Sequence, residues 1–199
     1  MGRDRYPRIV RRYGDKRDRK GFRSSKVFFP VLTLLIMALI FILSAQPADD
    51  SQKLSDGLLY TIVSLLDGLV SDEVIDFLVE YIRKVAHFVI YLLLGWSMGH
   101  SLFAWMVPES EYDIRITPDP RNVSVGSSSA GRAWFLSLVL CIIYAISDEI
   151  HQRFVPGRSG EVRDVLLDTC GIIIGLLILL ISISHKKHKM QKLAMKKLG

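Results

Sequence analysis

Two carboxyl groups, an imidazole, a carboxamide and two guanidinium groups stand together in one run. It reads Ser147-Asp148-Glu149-Ile150-His151-Gln152-Arg153-Phe154-Val155-Pro156-Gly157-Arg158. These are the groups of acid–base chemistry and of anion binding. An imidazole moves protons near neutral pH, a carboxylate orients it, and a guanidinium grips an oxyanion with a fork of N–H donors. Their surroundings are apolar. Residues 133–146 carry no charge, and residues 165–184 carry one, Asp168. A charged side chain at the centre of a membrane helix costs about 2.5–3.5 kcal/mol on insertion scales, and less near its ends. A cluster placed so close to lipid is therefore a candidate functional site.

Two further stretches point to the same place. In Arg83-Lys84-Val85-Ala86-His87-Phe88-Val89-Ile90-Tyr91, the spacing i, i+3, i+7 puts Lys84, His87 and Tyr91 on one helical face. Tyr144, Asp148 and His151 share a face by similar spacing, with Glu149 and Gln152 beside it. Asp164, Asp168, Gly171 and Gly175 form a third stripe, whose glycines make a small-xxx-small pair for close helix approach. Three helices are thus expected to bring ionisable groups to one depth, with Lys84 and Arg158 facing Asp148, Glu149, Asp164 and Asp168. The plainer alternative has Lys84 and Tyr91 as interfacial anchors and the acids in a salt-bridge cluster that only fixes helix register.

The elements that must hold these groups are four apolar blocks, at 27–45, 86–107, 133–150 and 165–184. Each is long enough to cross a ~30 Å hydrocarbon core. The expectation is an all-α fold, a four-transmembrane-helix integral membrane bundle. The blocks at 86 and 133 carry the polar residues and must rely on their neighbours. A short amphipathic extracytoplasmic helix is expected between helices 1 and 2, over 55–69, with Leu58, Ile62, Leu65 and Leu66 in one stripe. A second, at 72–82, leads into the next span. The chain thus divides into a basic, poorly ordered arm (1–26), a membrane domain (27–184) and a basic tail (185–199), with a flexible linker at 109–131.

Charge sets the expected orientation. Residues 1–26 hold eleven Lys/Arg against three acids, and the tail after Ser184 has six Lys and no acid. Both termini are expected in the cytoplasm, with 46–84 and 152–164 outside. The net charge of +6 comes from these tails, so it speaks for lipid headgroups and against nucleic acid. The first block is expected to be an uncleaved anchor, because the basic segment before it is long for a signal peptide. Cys141 and Cys170 fall inside spans and read as small apolar packers rather than a disulfide.

The chain resembles the VanZ-like family of bacterial membrane proteins. The resemblance rests on Ser44-Ala45-Gln46-Pro47 with Ser51 and Ser55, on Arg83-Lys84-Val85-Ala86-His87-Phe88 with Tyr91, and most on the run from Ser147 to Arg158 with Asp164. The family often has Asn where this chain has Asp168. The resemblance implies a four-helix protein of the bacterial plasma membrane, related to proteins implicated in resistance to teicoplanin-type glycopeptides. It implies functional roles for Lys84, His87, Tyr91, Asp148, Glu149, His151, Gln152, Arg158 and Asp164, and it names no reaction.

Two functions fit these residues. In one, an outward-facing polar pocket binds a lipid headgroup or an envelope ligand, alone or as an oligomer. In the other, a hydrolase or transferase acts on a lipid-linked anionic substrate. There His87 or His151 is acid or base, Asp148 or Glu149 orients it, and Lys84, Tyr91, Gln152, Arg158, Asp164 and Asp168 hold the substrate. A divalent metal held by His and carboxylates is a variant of the second. No H-E-x-x-H, G-x-S-x-G or paired-Cys motif is present, so no cofactor is specified.

Overall fold

A computed structural model describes residues 16–47, 57, 72–107 and 128–196. They form four helices, α1 (Lys16–Ser44), α2 (Asp72–Met106), α3 (Ser128–Gln152) and α4 (Val162–Lys196), with no strand among the described residues. Each contains a stretch long and apolar enough to cross a membrane: Ser24–Ser44, Tyr81–Met106, Ser129–Gln152 and Val162–His185. The protein is a multi-pass membrane protein.

Burial compensates for poor hydropathy. The first span has mean hydropathy 2.8 and is only 17% buried in the bundle, whereas the second has 1.4 and is 44% buried. Lipid solvates α1, and protein solvates the polar residues of α2. Accordingly α2 is central: it packs against α4 most extensively, then against α1 and α3. The core is Ile36 and Ile40 of α1, Tyr91 and Leu94 of α2, Cys141 and Ala145 of α3, and Ile172 and Leu176 of α4. Phe28, Val31, Leu34, Leu35 and Ile42 of α1 face outward, as a lipid-facing surface should.

Glycine lets α2 and α4 approach closely. A Cβ at Gly171 would lie 2.5 Å from the Phe88 carbonyl oxygen, and one at Gly175 would strike that of Leu92. From the other side, a Cβ at Gly95 would meet the Ile172 carbonyl at 2.5 Å. The expected small-residue stripe is therefore a backbone-to-backbone seam, and it turns Asp168, on the same helix, inward.

Pro30 interrupts α1, since it has no N–H to donate to the Lys26 carbonyl four residues back. The Trp105 indole N–H of α2 donates to that carbonyl instead, at 3.1 Å. One helical turn on, Thr33 lies 3.1 Å from Ser101 with their hydroxyls in contact.

Helix ends differ from those expected. The last residues of the basic arm, from Lys16, are helical and continuous with the first span, and the basic tail stays helical to Lys196. Lys and Arg are good helix formers, and a span already folded removes the nucleation cost. The segment at 72–82 is the first part of α2. The amphipathic helix expected over 55–69 lies outside the described residues apart from Gly57, as does the 109–131 linker up to residue 127. Both cysteines are free; Cys141 is a core residue, while Cys170 is exposed on α4.

Candidate functional site

The end of α1, the first turns of the membrane span of α2, the end of α3 and the start of α4 meet at one end of the bundle. Asp148 is the node. Its Oδ2 accepts from the Ser44 hydroxyl at 3.0 Å, the Tyr91 hydroxyl at 3.1 Å and the Gln152 amide at 3.1 Å. One carboxylate oxygen thereby ties α1, α2 and α3 together, with Asp148 only 4% exposed. All these donors are neutral; the expected opposite charge of Arg158 acts on Asp148 electrostatically, without a hydrogen bond.

Glu149 lies beside it and uses both oxygens. Oε2 accepts the backbone N–H of Glu161 at 3.0 Å, and Oε1 accepts from Gln152 at 3.4 Å. Glu161 immediately precedes α4, so Glu149 serves as a cap from another helix, where the helix dipole favours negative charge. Gly160 is essential to this docking, since a Cβ there would strike the Glu149 carbonyl oxygen.

The connection from α3 to α4 turns at Pro156-Gly157. The Arg158 N–H donates to the Val155 carbonyl at 3.2 Å, and Gly157 has φ 75°. Proline followed by a positive-φ glycine is the pattern of a type II turn. The turn sends Arg158 back over the end of α1, where its guanidinium donates to the Leu43 carbonyl at 3.0 Å. A cation at a helix C-terminus satisfies an orphan carbonyl and complements the dipole. Burial and the nearby Arg83 hold the Arg158 guanidinium below its ordinary pKa. Phe154, 81% exposed in this connection, is placed as an interfacial aromatic would be.

Asp168 is wholly buried on α4, and neither of its oxygens has a hydrogen-bond partner. His87 Nδ1 lies 4.0 Å from Asp168 Oδ1, too far for a hydrogen bond, and is itself unpartnered. The His87 ring stands 6.5 Å from that of Tyr91 at 23°, so the expected adjacency of these two on α2 is real. His151 stacks on Phe41 at 4.7 Å with its Nε2 buried and unpartnered. Tyr144 points away from Asp148 in its bonding and donates to the Met37 carbonyl at 2.6 Å. Asp164 is half-buried and within electrostatic reach of His87, and Lys84 is exposed.

The cluster thus brings Tyr91, Asp148, Glu149, Gln152, His87 and Asp168 together, with Arg158 and His151 at the α1 edge. Lys84 is set on the exposed surface of α2. Ser44, Phe41 and Gly160 complete the site, and the spacing arguments did not select them. Ser44 had a signal in the Ser-Ala-Gln-Pro motif at the end of the first span, whereas Phe41 and Gly160 had none. Among the described residues no three His, Cys, Asp or Glu side chains converge to hold a metal ion. A shallow apolar recess lies at the other end of the bundle, against Met106, Gly131, Arg132, Phe135 and Leu136.

Chemically, the cluster divides into a satisfied part and an unsatisfied one. Among the described residues, six of the seven unpartnered buried side-chain polar atoms belong to His87, Asp148, His151, Arg158 and Asp168; the seventh is the Trp134 indole nitrogen. Such atoms are rare in folded proteins, where buried polar groups are ordinarily met by protein or ordered water.

No curated protein matches the chain, and neither does any solved structure. A family profile described as VanZ/LLP1 matches residues 29–183, from the first span to the last and across every side chain of the cluster. Four spans, the polar node at their common end and this match together make the chain a member of the VanZ-like family.

Proposed function

We propose that the polar cluster is a recognition site at the outer face of a bacterial plasma membrane, where it takes the headgroup of a lipid or of a lipid-linked envelope ligand. The observation that carries this reading is the gathering of six unpartnered buried polar atoms at one end of the bundle. A bundle that needed only a register lock would pair them. The orientation is supported by eleven Lys/Arg in residues 1–26 and six Lys after Ser184, which favour a cytoplasmic location for both termini. Family membership supports a role in the cell envelope and a link to teicoplanin-type resistance.

A second reading, a hydrolase or transferase, draws on one pair. His87 Nδ1 faces the buried Asp168 at 4.0 Å, the relation in which a carboxylate fixes the tautomer of a catalytic imidazole. The two readings separate in one experiment. His87→Ala, Glu149→Ala and His151→Ala are compared at matched expression for teicoplanin susceptibility and for the lipids that copurify, identified by mass spectrometry. Recognition predicts that phenotype and copurifying lipid are lost together. Catalysis predicts that His87→Ala abolishes the phenotype while lipid is retained. Unchanged phenotype and lipid in all three variants would remove both readings. Orientation is tested by one cysteine at position 156 in a chain lacking Cys141 and Cys170, which should react with an impermeant maleimide from outside.

A further inference from the structure

We propose that the chemical group taken at this site is a primary ammonium, with Asp168 and His87 as its acceptors. The inference rests on the recognition reading above and names the ligand chemistry within it.

The sign of the buried charge comes first. Asp148, Glu149 and Asp168 are 4%, 5% and 0% exposed, and Asp164 is half-buried nearby. The cations are peripheral or turned elsewhere. Arg83 and Lys84 are exposed, and the half-buried Arg158, at the α1 edge, donates to the Leu43 carbonyl through one nitrogen, keeps its Nε unpartnered, and is one cation among three buried carboxyl groups. An anion entering this end meets three buried carboxyl groups in surroundings of low dielectric, where repulsion is poorly screened. A cation meets the same groups as partners.

The individual acceptor atoms then select the kind of cation. Glu149 has both oxygens occupied, and Asp148 Oδ2 is used three times. What is left is Asp148 Oδ1, both oxygens of Asp168, and His87 Nδ1, 4.0 Å from Asp168 Oδ1. Asp168 is wholly buried, neither of its oxygens is hydrogen-bonded, and its Oδ1 lies 4.0 Å from the unpartnered His87 Nδ1. A divalent metal would need a convergent ligand set that the described residues do not form. An ammonium carries three N–H donors on a compact head and no acceptor. It fits a site offering carboxylate oxygens and a ring lone pair. A quaternary ammonium has no N–H and relies on aromatic faces, so it should be refused. His87, 25% exposed beside the buried Asp168, marks the way in.

The test uses the full-length chain in detergent and three short-chain lipids differing only in headgroup: dihexanoyl phosphatidylethanolamine, phosphatidylcholine and phosphatidylglycerol. Binding is read by native mass spectrometry. The expected result is at least ~10-fold tighter binding of the ethanolamine lipid than of either other lipid, a preference of about 1.4 kcal/mol. Methylammonium chloride should compete with it and tetramethylammonium chloride should not, which needs no variant. Asp168→Asn should erase the preference; the family's frequent Asn at this position makes it a variant expected to fold. Glycerophosphoethanolamine, which lacks the chains, tells a lipid headgroup from a free amine by its affinity. Tightest binding of phosphatidylglycerol, or equal binding of the ethanolamine and choline lipids, overturns the ammonium assignment and leaves headgroup recognition standing. Failure of all three lipids and of glycerophosphoethanolamine to bind overturns both.

Discussion

The two ends of the bundle are built from the same four helices, and each carries a histidine, hydroxyls and aromatic rings, yet they handle polarity in opposite ways. At the Met106 end, Thr33 and Ser101 bond each other and the carbonyls of Phe29 and Ser97. Trp105 caps Lys26, and His100 stacks on Phe29 at 4.2 Å with Trp96 edge-on to both. Among the described residues at this end, only the Trp134 indole nitrogen, on the α3 half nearer it, is buried and lacks a partner. At the Asp148 end, the polar atoms that join helices are satisfied and six others are not. Polarity that is paired holds helices together; polarity left unpaired reduces stability, and the proposed recognition role would account for its retention.

The harshest way to break this contrast is to part the helices that position both ends. Gly175→Leu places a side chain against the Leu92 carbonyl and within 2.9 Å of the Trp96 nitrogen. Backbone cannot yield as a flexible side chain can. The expected loss is ~3 kcal/mol or more, seen as loss of the folded peak in size exclusion and a collapsed thermal midpoint. A Gly175→Leu protein as stable as the parent would show that α2 and α4 are not in backbone contact.

Next in size is a direct comparison of the two ends. Asp148→Ala removes the acceptor of Ser44 and Tyr91 and one acceptor of Gln152. Stranded buried donors cost ~1–3 kcal/mol each, so a loss of ~3 kcal/mol is expected in denaturant titration. Ser101→Ala removes one hydroxyl and leaves Thr33 its bond to the Phe29 carbonyl, so ~0.6 kcal/mol is expected, the average for such bonds in membrane proteins. Equal losses would mean that Asp148 is no node.

Much of this was legible in the sequence, for a physical reason. Hydrocarbon demands long apolar helices, so all four spans could be read off composition. The 3.6-residue period put His87 with Tyr91 and Asp168 with Gly171 on the correct faces. Pairing was less legible. Charges of opposite sign are expected to meet; Arg158 does lie within electrostatic reach of Asp148, but the hydrogen bonds go elsewhere, Asp148 taking neutral donors from three helices and Arg158 a backbone carbonyl. Periodicity shows which face a side chain shares; it does not show which helix end will have a carbonyl left over. Glu149 illustrates this: it was a candidate acid or base, and its oxygens go to Glu161 and Gln152. It positions the α3–α4 connection.

Asp168 reverses the sign of the expected effect. Asp168→Leu exchanges a buried, unpartnered carboxyl for an apolar group of similar size. Such exchanges often stabilise by ~1–4 kcal/mol, and ~1–2 kcal/mol is expected here, with ethanolamine-lipid binding lost. Stability and binding moving in opposite directions would sharpen the contrast between the ends. A destabilised Asp168→Leu protein would show that the carboxyl is satisfied in the folded state.

A further small effect lies at the Met106 end and concerns the backbone. Pro30 leaves the Lys26 carbonyl without its helical donor, and Trp105 supplies one. Trp105→Phe removes the N–H and keeps most of the ring, at an expected cost of ~1 kcal/mol. The Lys26 ammonium, 6.0 Å from the Trp105 ring, offers a rival cause for any such loss, since phenylalanine is the weaker cation–π partner. A second substitution separates the two. In Pro30→Ala the residue at 30 regains an N–H that can bond the Lys26 carbonyl, so Trp105→Phe in that background should cost under ~0.5 kcal/mol. A double-mutant cycle therefore shows coupling of ~0.5–1 kcal/mol if the indole repairs the proline break. Strict additivity assigns the effect to the ammonium, because that interaction does not depend on the residue at position 30.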